Sequence, residues 1–162
     1  MGTGKTSVGK VLGKKLCREI VDIDCLIESS QNRKIREIFE TDGEACFREL
    51  EKEAISRTTQ RHGIVITAGG GAVLDAQNVE AFKKTGWVVT LWARPETIEL
   101  RTARSKNRPL LKSDSRLEEI RKLLAERKPF YEKGDFHFPT DGLTATQVAK
   151  NILDALKDKL SS

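Results

Sequence analysis

Short β-branched runs alternate along this chain with segments whose apolar residues return every three to four positions. That alternation restricts the fold open to its 162 residues more than any other feature. Val8, Val11, Leu12 and Leu16 make one helical stripe across Lys5 to Leu16, a spacing that places them on a single face. Ile20 to Ile23 is a β-type run ending at Asp24. Ile35, Ile38 and Phe39 mark a short helix, Thr41-Asp42-Gly43-Glu44 a turn and helix start, and Phe47, Leu50, Ala54 and Ile55 a helix to about Thr59. Beyond Gly63, Ile64 to Thr67 reads as a buried strand that runs into Gly69-Gly70-Gly71. Val79 and Phe82 predict a helix stopping near Gly86, and Trp87 to Trp92 is the clearest strand, rich in β-branched and aromatic residues. Pro95 suits the first turn of the next helix, which carries Ile98 and Leu100. Leu117, Ile120, Leu123 and Leu124 mark a helix expected to end near Lys128, because Pro129 disfavours helical backbone before it. Phe136 to Phe138 is a last strand, and the capping box Thr144-x-x-Gln147 opens a final helix with Val148, Ile152, Ala155, Leu156 and Leu160. Strands and helices at crossover spacing predict an α/β fold, one domain over residues 1–162, with a parallel sheet covered by helices on both faces.

Composition narrows the class. Hydrophobic residues make up 38% of the chain, and no stretch approaches the length of a membrane span. The segment behind Lys5 and Lys10 has no continuous apolar core of the signal-peptide kind. Cys17, Cys25 and Cys46 are odd in number and widely spaced, so they read as reduced thiols in a reducing compartment, and the protein as cytoplasmic. A net charge of +5, with 29 basic against 24 acidic residues, fits an anionic partner without choosing among nucleic acid, phosphorylated small molecule and carboxylate. His62 and His137 lack metal-like spacing, and Trp87 and Trp92 read as strand packing.

The chemistry begins at Gly2-Thr3-Gly4-Lys5-Thr6-Ser7. Gly4-Lys5-Thr6 is the second half of G-x-x-x-x-G-K-[ST] and stands directly before an amphipathic helix. In that motif backbone N–H groups wrap a phosphate and the helix N-terminus adds partial positive charge. Lys5 would reach the β and γ oxygens, and the Thr6 hydroxyl would bind Mg²⁺. A chance GKT before a helix is the competing reading. The first glycine of the full pattern, and the strand that feeds such a loop, would fall before Met1, so the expectation is an N-terminally trimmed domain or a start set at an internal Met.

Six segments together resemble the shikimate kinases: Gly4-Lys5-Thr6, Asp22-x-Asp24, Phe47-Arg48-x-x-Glu51, Gly69-Gly70-Gly71-Ala72, Arg108-Pro109-Leu110-Leu111 and Arg127-x-x-x-Tyr131, in that order from residue 1 to about 155. The resemblance implies a P-loop NTPase fold of the nucleoside-monophosphate-kinase type, with a five-stranded parallel sheet whose central strand is missing from this chain. It implies ATP as co-substrate with Mg²⁺, shikimate as acceptor and a monomer as the working unit, with no role for nucleic acid or membrane.

The resemblance also assigns roles. Gly2 through Ser7 would hold ATP, with Arg101 packing near the adenine; a helix-surface arginine is the alternative there. Asp24 would hydrogen-bond the shikimate hydroxyls and serve as candidate base. Asp22 would hold Mg²⁺ near Thr6, although two aspartates at a strand end can also be helix caps. Arg48, oriented by Glu51 three residues on, and Arg127 would clamp the shikimate carboxylate, for which a planar guanidinium is suited. Gly69, Gly70 and Gly71 would lie against shikimate, with backbone N–H groups reaching it directly. Arg108 belongs to a lid over Lys106 to Ser115 and would neutralise the transferring phosphoryl group. A gluconate kinase, a nucleoside-monophosphate kinase and a non-catalytic binding protein on a kinase scaffold are the alternatives. The paired arginines and the glycine segment favour shikimate over the first two.

Overall fold

The computed structural model describes residues 2–103 and 116–161, so the expected lid and Arg108 lie outside the described residues. Helix α1 (Lys5–Leu16) leads into strand β1 (Glu19–Asp22), followed by helices α2 (Ile23–Gln31), α3 (Ile35–Thr41) and α4 (Gly43–Thr58). Strand β2 (Ile64–Thr67), a 3-10 turn (Ala72–Leu74), helix α5 (Ala76–Thr85), strand β3 (Val89–Trp92) and helix α6 (Pro95–Thr102) come next. Helix α7 (Arg116–Tyr131), strand β4 (Phe136–Pro139) and helix α8 (Ala145–Leu160) complete the described elements. No helix among the described residues is long and apolar enough to cross a membrane.

The strands are parallel, as expected, and the described residues hold the four strands read from the sequence as two pairs, β1–β2 and β3–β4; a fifth strand is not among them. Helix α1 bridges the pairs. It approaches β2 closely where Gly9 faces Thr67. Val8 joins a cluster with Val148, Ala149 and Ile152 of α8 that packs against Val89 and Leu91 of β3. A second cluster gathers Ile23 and Ile27 of α2, Ile38 of α3, and Phe47 and Ile55 of α4. Each of these side chains is at most 5% exposed, and full burial of one such group contributes roughly 1.5–3 kcal/mol. The third joins Ile98 of α6 to Ile120 of α7.

Three boundaries differ from the sequence reading, each for a local reason. The strand expected to reach Asp24 stops at Asp22, whose side chain caps α2 by accepting the Cys25 N–H at 3.2 Å. The sequence reading has no helix at α2. Its apolar pair Ile23 and Ile27 lies i, i+4 and is fully buried, and that burial outweighs the β propensity of the Ile20–Ile23 run. The strand expected from Trp87 begins at Val89, because Val88 turns its N–H and carbonyl to Asp135 and Phe136. Helix α7 does not end at Lys128 but runs through Pro129 to Tyr131. Proline removes one intrahelical donor, and tertiary contacts of Tyr131 hold the turn beyond it. Its carbonyl accepts from Thr90 Oγ1 at 3.0 Å, and its ring meets Trp92 edge-on at 5.7 Å.

The parallel register sets the end of the molecule where chemistry can occur. Asp22 is paired with Thr67, so the chain leaves β1 and β2 side by side. Asp22 and Asp24 therefore emerge next to the glycine segment. Ligands of parallel α/β sheets bind at this carboxyl end of the strands.

Candidate active site

The phosphate loop has the backbone geometry its role requires. Gly4 precedes α1 at φ 88° and Gly2 sits at φ 65°, left-handed conformations that cost a residue with a Cβ about 1–2 kcal/mol. No side chain caps the helix, which leaves its first N–H groups for an anion, favoured by the helix dipole. Beside them is a cavity of about 480 Å³ lined by residues 2–8, by Arg101 and by Thr140, Leu143, Ala145 and Val148. Arg101 faces this cavity and is not a free surface side chain. Its Nη1 donates to Thr140 Oγ1 at 2.9 Å and its Nη2 to the Thr140 carbonyl at 2.8 Å. Nη1 also approaches the Gly2 carbonyl at 3.5 Å. The arginine thus ties α6 to the loop before α8 and to the start of the phosphate loop.

Asp22 caps a helix, and its second oxygen faces the hydroxyls of Thr67 and Thr6. That oxygen accepts from Thr67 Oγ1 at 2.8 Å and lies 3.5 Å from Thr6 Oγ1. Two neighbouring hard oxygens suit Mg²⁺, which binds few protein ligands and keeps water and phosphate oxygens for the rest. Among the described residues no group of three His, Cys, Asp or Glu could hold a metal. Burial first, and then Asp22, pushes the Cys25 thiol above its ordinary value, which disfavours the thiolate form.

The glycine segment is where Asp24, Arg48 and Glu51 meet. Arg48 Nη1 donates to Glu51 Oε2 at 2.6 Å, and Nη2 donates to Glu44 Oε1 at 2.8 Å. A Cβ on Gly71 would fall 2.5–2.8 Å from Nη1, Nη2 and Cζ of Arg48. A Cβ on Gly69 would sit 3.2 Å from Glu51 Oε1 and 3.3 Å from Asp24 Oδ1. The glycines therefore leave room for one guanidinium and two carboxylates at contact distance. Glu51 is 1% exposed, and its Oε1 has no hydrogen-bond partner among the described residues. Burial pushes its carboxyl above the usual range, opposed by Arg48 and, at longer range, by Arg127. Arg127 is half-buried and has no hydrogen bond or ion pair among the described residues.

The structure thus brings Asp24, Arg48, Glu51, Gly69 and Gly71 together, while the phosphate loop, Thr6 and Asp22 form the other end; no hydrogen bond or ion pair joins Arg127 to either group among the described residues. Sequence reasoning missed Glu44, although its i, i+4 spacing to Arg48 is a usable signal. It also missed Thr67 beside Asp22, Thr140 beneath Arg101, and the hydrogen bond that Tyr131 Oη donates to the Gly70 carbonyl at 3.0 Å. These contacts join distant residues, and no local pattern announces them.

Comparison with known proteins gives the family. A family model for shikimate kinase matches residues 1–157. The shikimate kinase of Thermodesulfovibrio yellowstonii is 44% identical over 153 residues, covering 94% of this chain and 88% of that protein. That of Moorella thermoacetica is 41% identical over 162 residues, 100% of this chain and 93% of the relative. Among solved structures, the shikimate kinase of Acinetobacter baumannii in complex with shikimate superposes with a TM-score of 0.94 at 38% identity, covering 98% of this chain and 89% of that one. With loop, carboxylates and arginines disposed as described, the chain belongs to the shikimate kinase family.

Proposed function

We propose that this protein transfers the γ-phosphoryl group of ATP to the 3-hydroxyl of shikimate, giving ADP and shikimate 3-phosphate. The observation that carries the reading is the packing of the Arg48 guanidinium on Gly71, with Asp24 and Glu51 beside Gly69. A small acceptor with a carboxylate on one side and hydroxyls on the other matches that distribution of charge. Phosphoryl transfer depends on positioning and charge neutralisation more than on covalent chemistry. Arg48 and Arg127 would bind the carboxylate. Asp24 would align the attacking hydroxyl and accept its proton as the new P–O bond forms and the bond to the ADP oxygen breaks. Lys5 and the N–H groups of α1 would hold the phosphates. Thr6 and Asp22 would hold Mg²⁺, which when bound supplies positive charge to the β and γ oxygens. Arg108 enters the reading from the sequence alone, as the residue that covers the transferring group. The same reading has the protein acting as a monomer in the cytoplasm.

A steady-state comparison of shikimate, gluconate and nucleoside monophosphates, each with ATP, tests the assignment by ADP release. Turnover of gluconate with none of shikimate overturns it. Two variants test the roles. Arg127→Ala is expected to raise the shikimate KM roughly 10- to 100-fold, the loss of a charge-assisted hydrogen-bonded contact, with the ATP KM nearly unchanged. Thr6→Val keeps the side-chain shape and removes the hydroxyl. It is expected to raise the Mg²⁺ concentration for half-maximal rate about tenfold or more, measured by titrating the metal at saturating ATP and shikimate.

A further inference from the structure

Tyr131 closes a motif whose arginine has an assigned role, while the tyrosine has none. Two observations indicate what it does. The first is that α7 continues through Pro129, against the local preference of the chain. The continuation carries Tyr131 one turn beyond Arg127, and residues at i and i+4 share a helix face. The second is how the glycine segment is held. Three successive glycines form the least restrained backbone a chain can offer. The Gly69 carbonyl accepts from the Ala72 N–H at 3.1 Å and the Gly71 carbonyl from the Leu74 N–H at 3.0 Å, both within the local turn. The Gly70 carbonyl accepts instead from Tyr131 Oη at 3.0 Å, a side chain 61 residues away on another element.

That bond fixes a particular plane. The Gly70 carbonyl and the Gly71 N–H belong to one peptide and point in opposite directions. Holding the carbonyl towards α7 therefore sets the direction of the Gly71 N–H and the position of the Gly71 Cα against Arg48. The tyrosine is itself held, by the edge-on contact with Trp92 at 5.7 Å and by the hydrogen bond from Thr90 Oγ1 to its carbonyl. It thus joins β3, the helix that carries Arg127 and the segment on which Arg48 rests.

We propose that Tyr131 is a positioning residue for the acceptor: its hydroxyl fixes the Gly70–Gly71 peptide and keeps Arg127 in register with Arg48. The inference rests on the acceptor pose given above. Tyr131→Phe tests it, because the ring stays against Trp92 and only the hydroxyl is lost. The shikimate KM is expected to rise about five- to tenfold, the worth of one hydrogen bond, with the ATP KM within twofold of the parent. In the protein without ligands, amide hydrogen exchange across residues 69–74 is expected to quicken, while exchange in α1 and α8 stays at the parent rate. Parent-like exchange across 69–74 overturns the proposal, as does faster exchange with an unchanged shikimate KM. Equal rises in both KM values with a lowered melting temperature would show a merely structural role and also overturn it. Failure of the parent protein to phosphorylate shikimate would instead overturn the assigned function, leaving the exchange measurement as a separate test of the peptide restraint.

Discussion

Replacement of Gly71 by alanine is expected to cut kcat/KM for shikimate about 100-fold while the protein still folds. The added Cβ would lie 2.5 Å from Arg48 Nη1 and 2.6 Å from Nη2, distances that non-bonded atoms do not hold. What gives way is the guanidinium, since it ends a flexible side chain. Its displacement breaks the 2.6 Å bond to Glu51 and leaves that buried carboxylate without its partner. The stability cost is about 1–3 kcal/mol, as for other buried polar groups that lose a partner. Glu51 already binds a proton more readily than an exposed glutamate because it is buried, and proton uptake lowers that cost. Function is less tolerant. A clamp moved by about 1 Å loses on the order of 100-fold in rate even where the chemistry is untouched. Steady-state kinetics together with thermal unfolding separate the two effects. Parent-like kinetics in a folded Gly71→Ala protein would remove Arg48 from the acceptor site. A loss of ATP affinity equal to that for shikimate would point to collapse of the segment instead.

The Gly71 case also shows what was legible in the sequence. That three glycines after a strand end mean close approach can be reasoned from their missing side chains, and so can the pairing of Arg48 with Glu51, which is a matter of helical spacing. The reason each glycine is needed is not local. Gly69 faces Asp24 from α2 and Glu51 from α4, and Gly71 faces Arg48, so the requirement exists only once β1 and β2 lie in register. The same limit explains α2. Asp22 both ends a strand and caps a helix, and Ile20–Ile23 has the composition of a strand. The β propensity of Ile23 is overruled by its burial against α4, which only the folded chain provides. Pro129 is the converse case. The proline rule describes a helix in isolation, whereas contacts with Thr90, Trp92 and Gly70 hold Tyr131 in helical geometry. By contrast, α1, α8 and the phosphate loop were readable because a capping box, a helical stripe and a Gly-Lys-Thr triplet are properties of adjacent residues.

The largest loss of activity is expected at Lys5. This residue opens α1 directly after the left-handed Gly4 and lines the cavity shared with Arg101 and Thr140. The backbone donors of the loop are fixed in place and carry only partial charge. In the proposed reaction a lysine there would add a full positive charge where negative charge shifts between the γ-phosphoryl group and the leaving ADP. Preorganised charge of this kind contributes far more to the transition state than to substrate binding. Lys5→Met keeps the length and apolar stem of the side chain, so α1 and its packing on α8 should persist. Its kcat is expected to fall about 1,000-fold, the upper end of what removal of one such donor costs. Shikimate affinity should stay within about twofold, because Arg48, Asp24 and the glycine segment meet at the other end of the site. Calorimetric titration with shikimate, set beside steady-state rates, tests both halves. A Lys5→Met protein that turns over within tenfold of the parent would mean that the loop does not carry the reacting phosphate. Loss of shikimate binding in step with rate would mean that the two ends of the site are not the separate units their geometry describes.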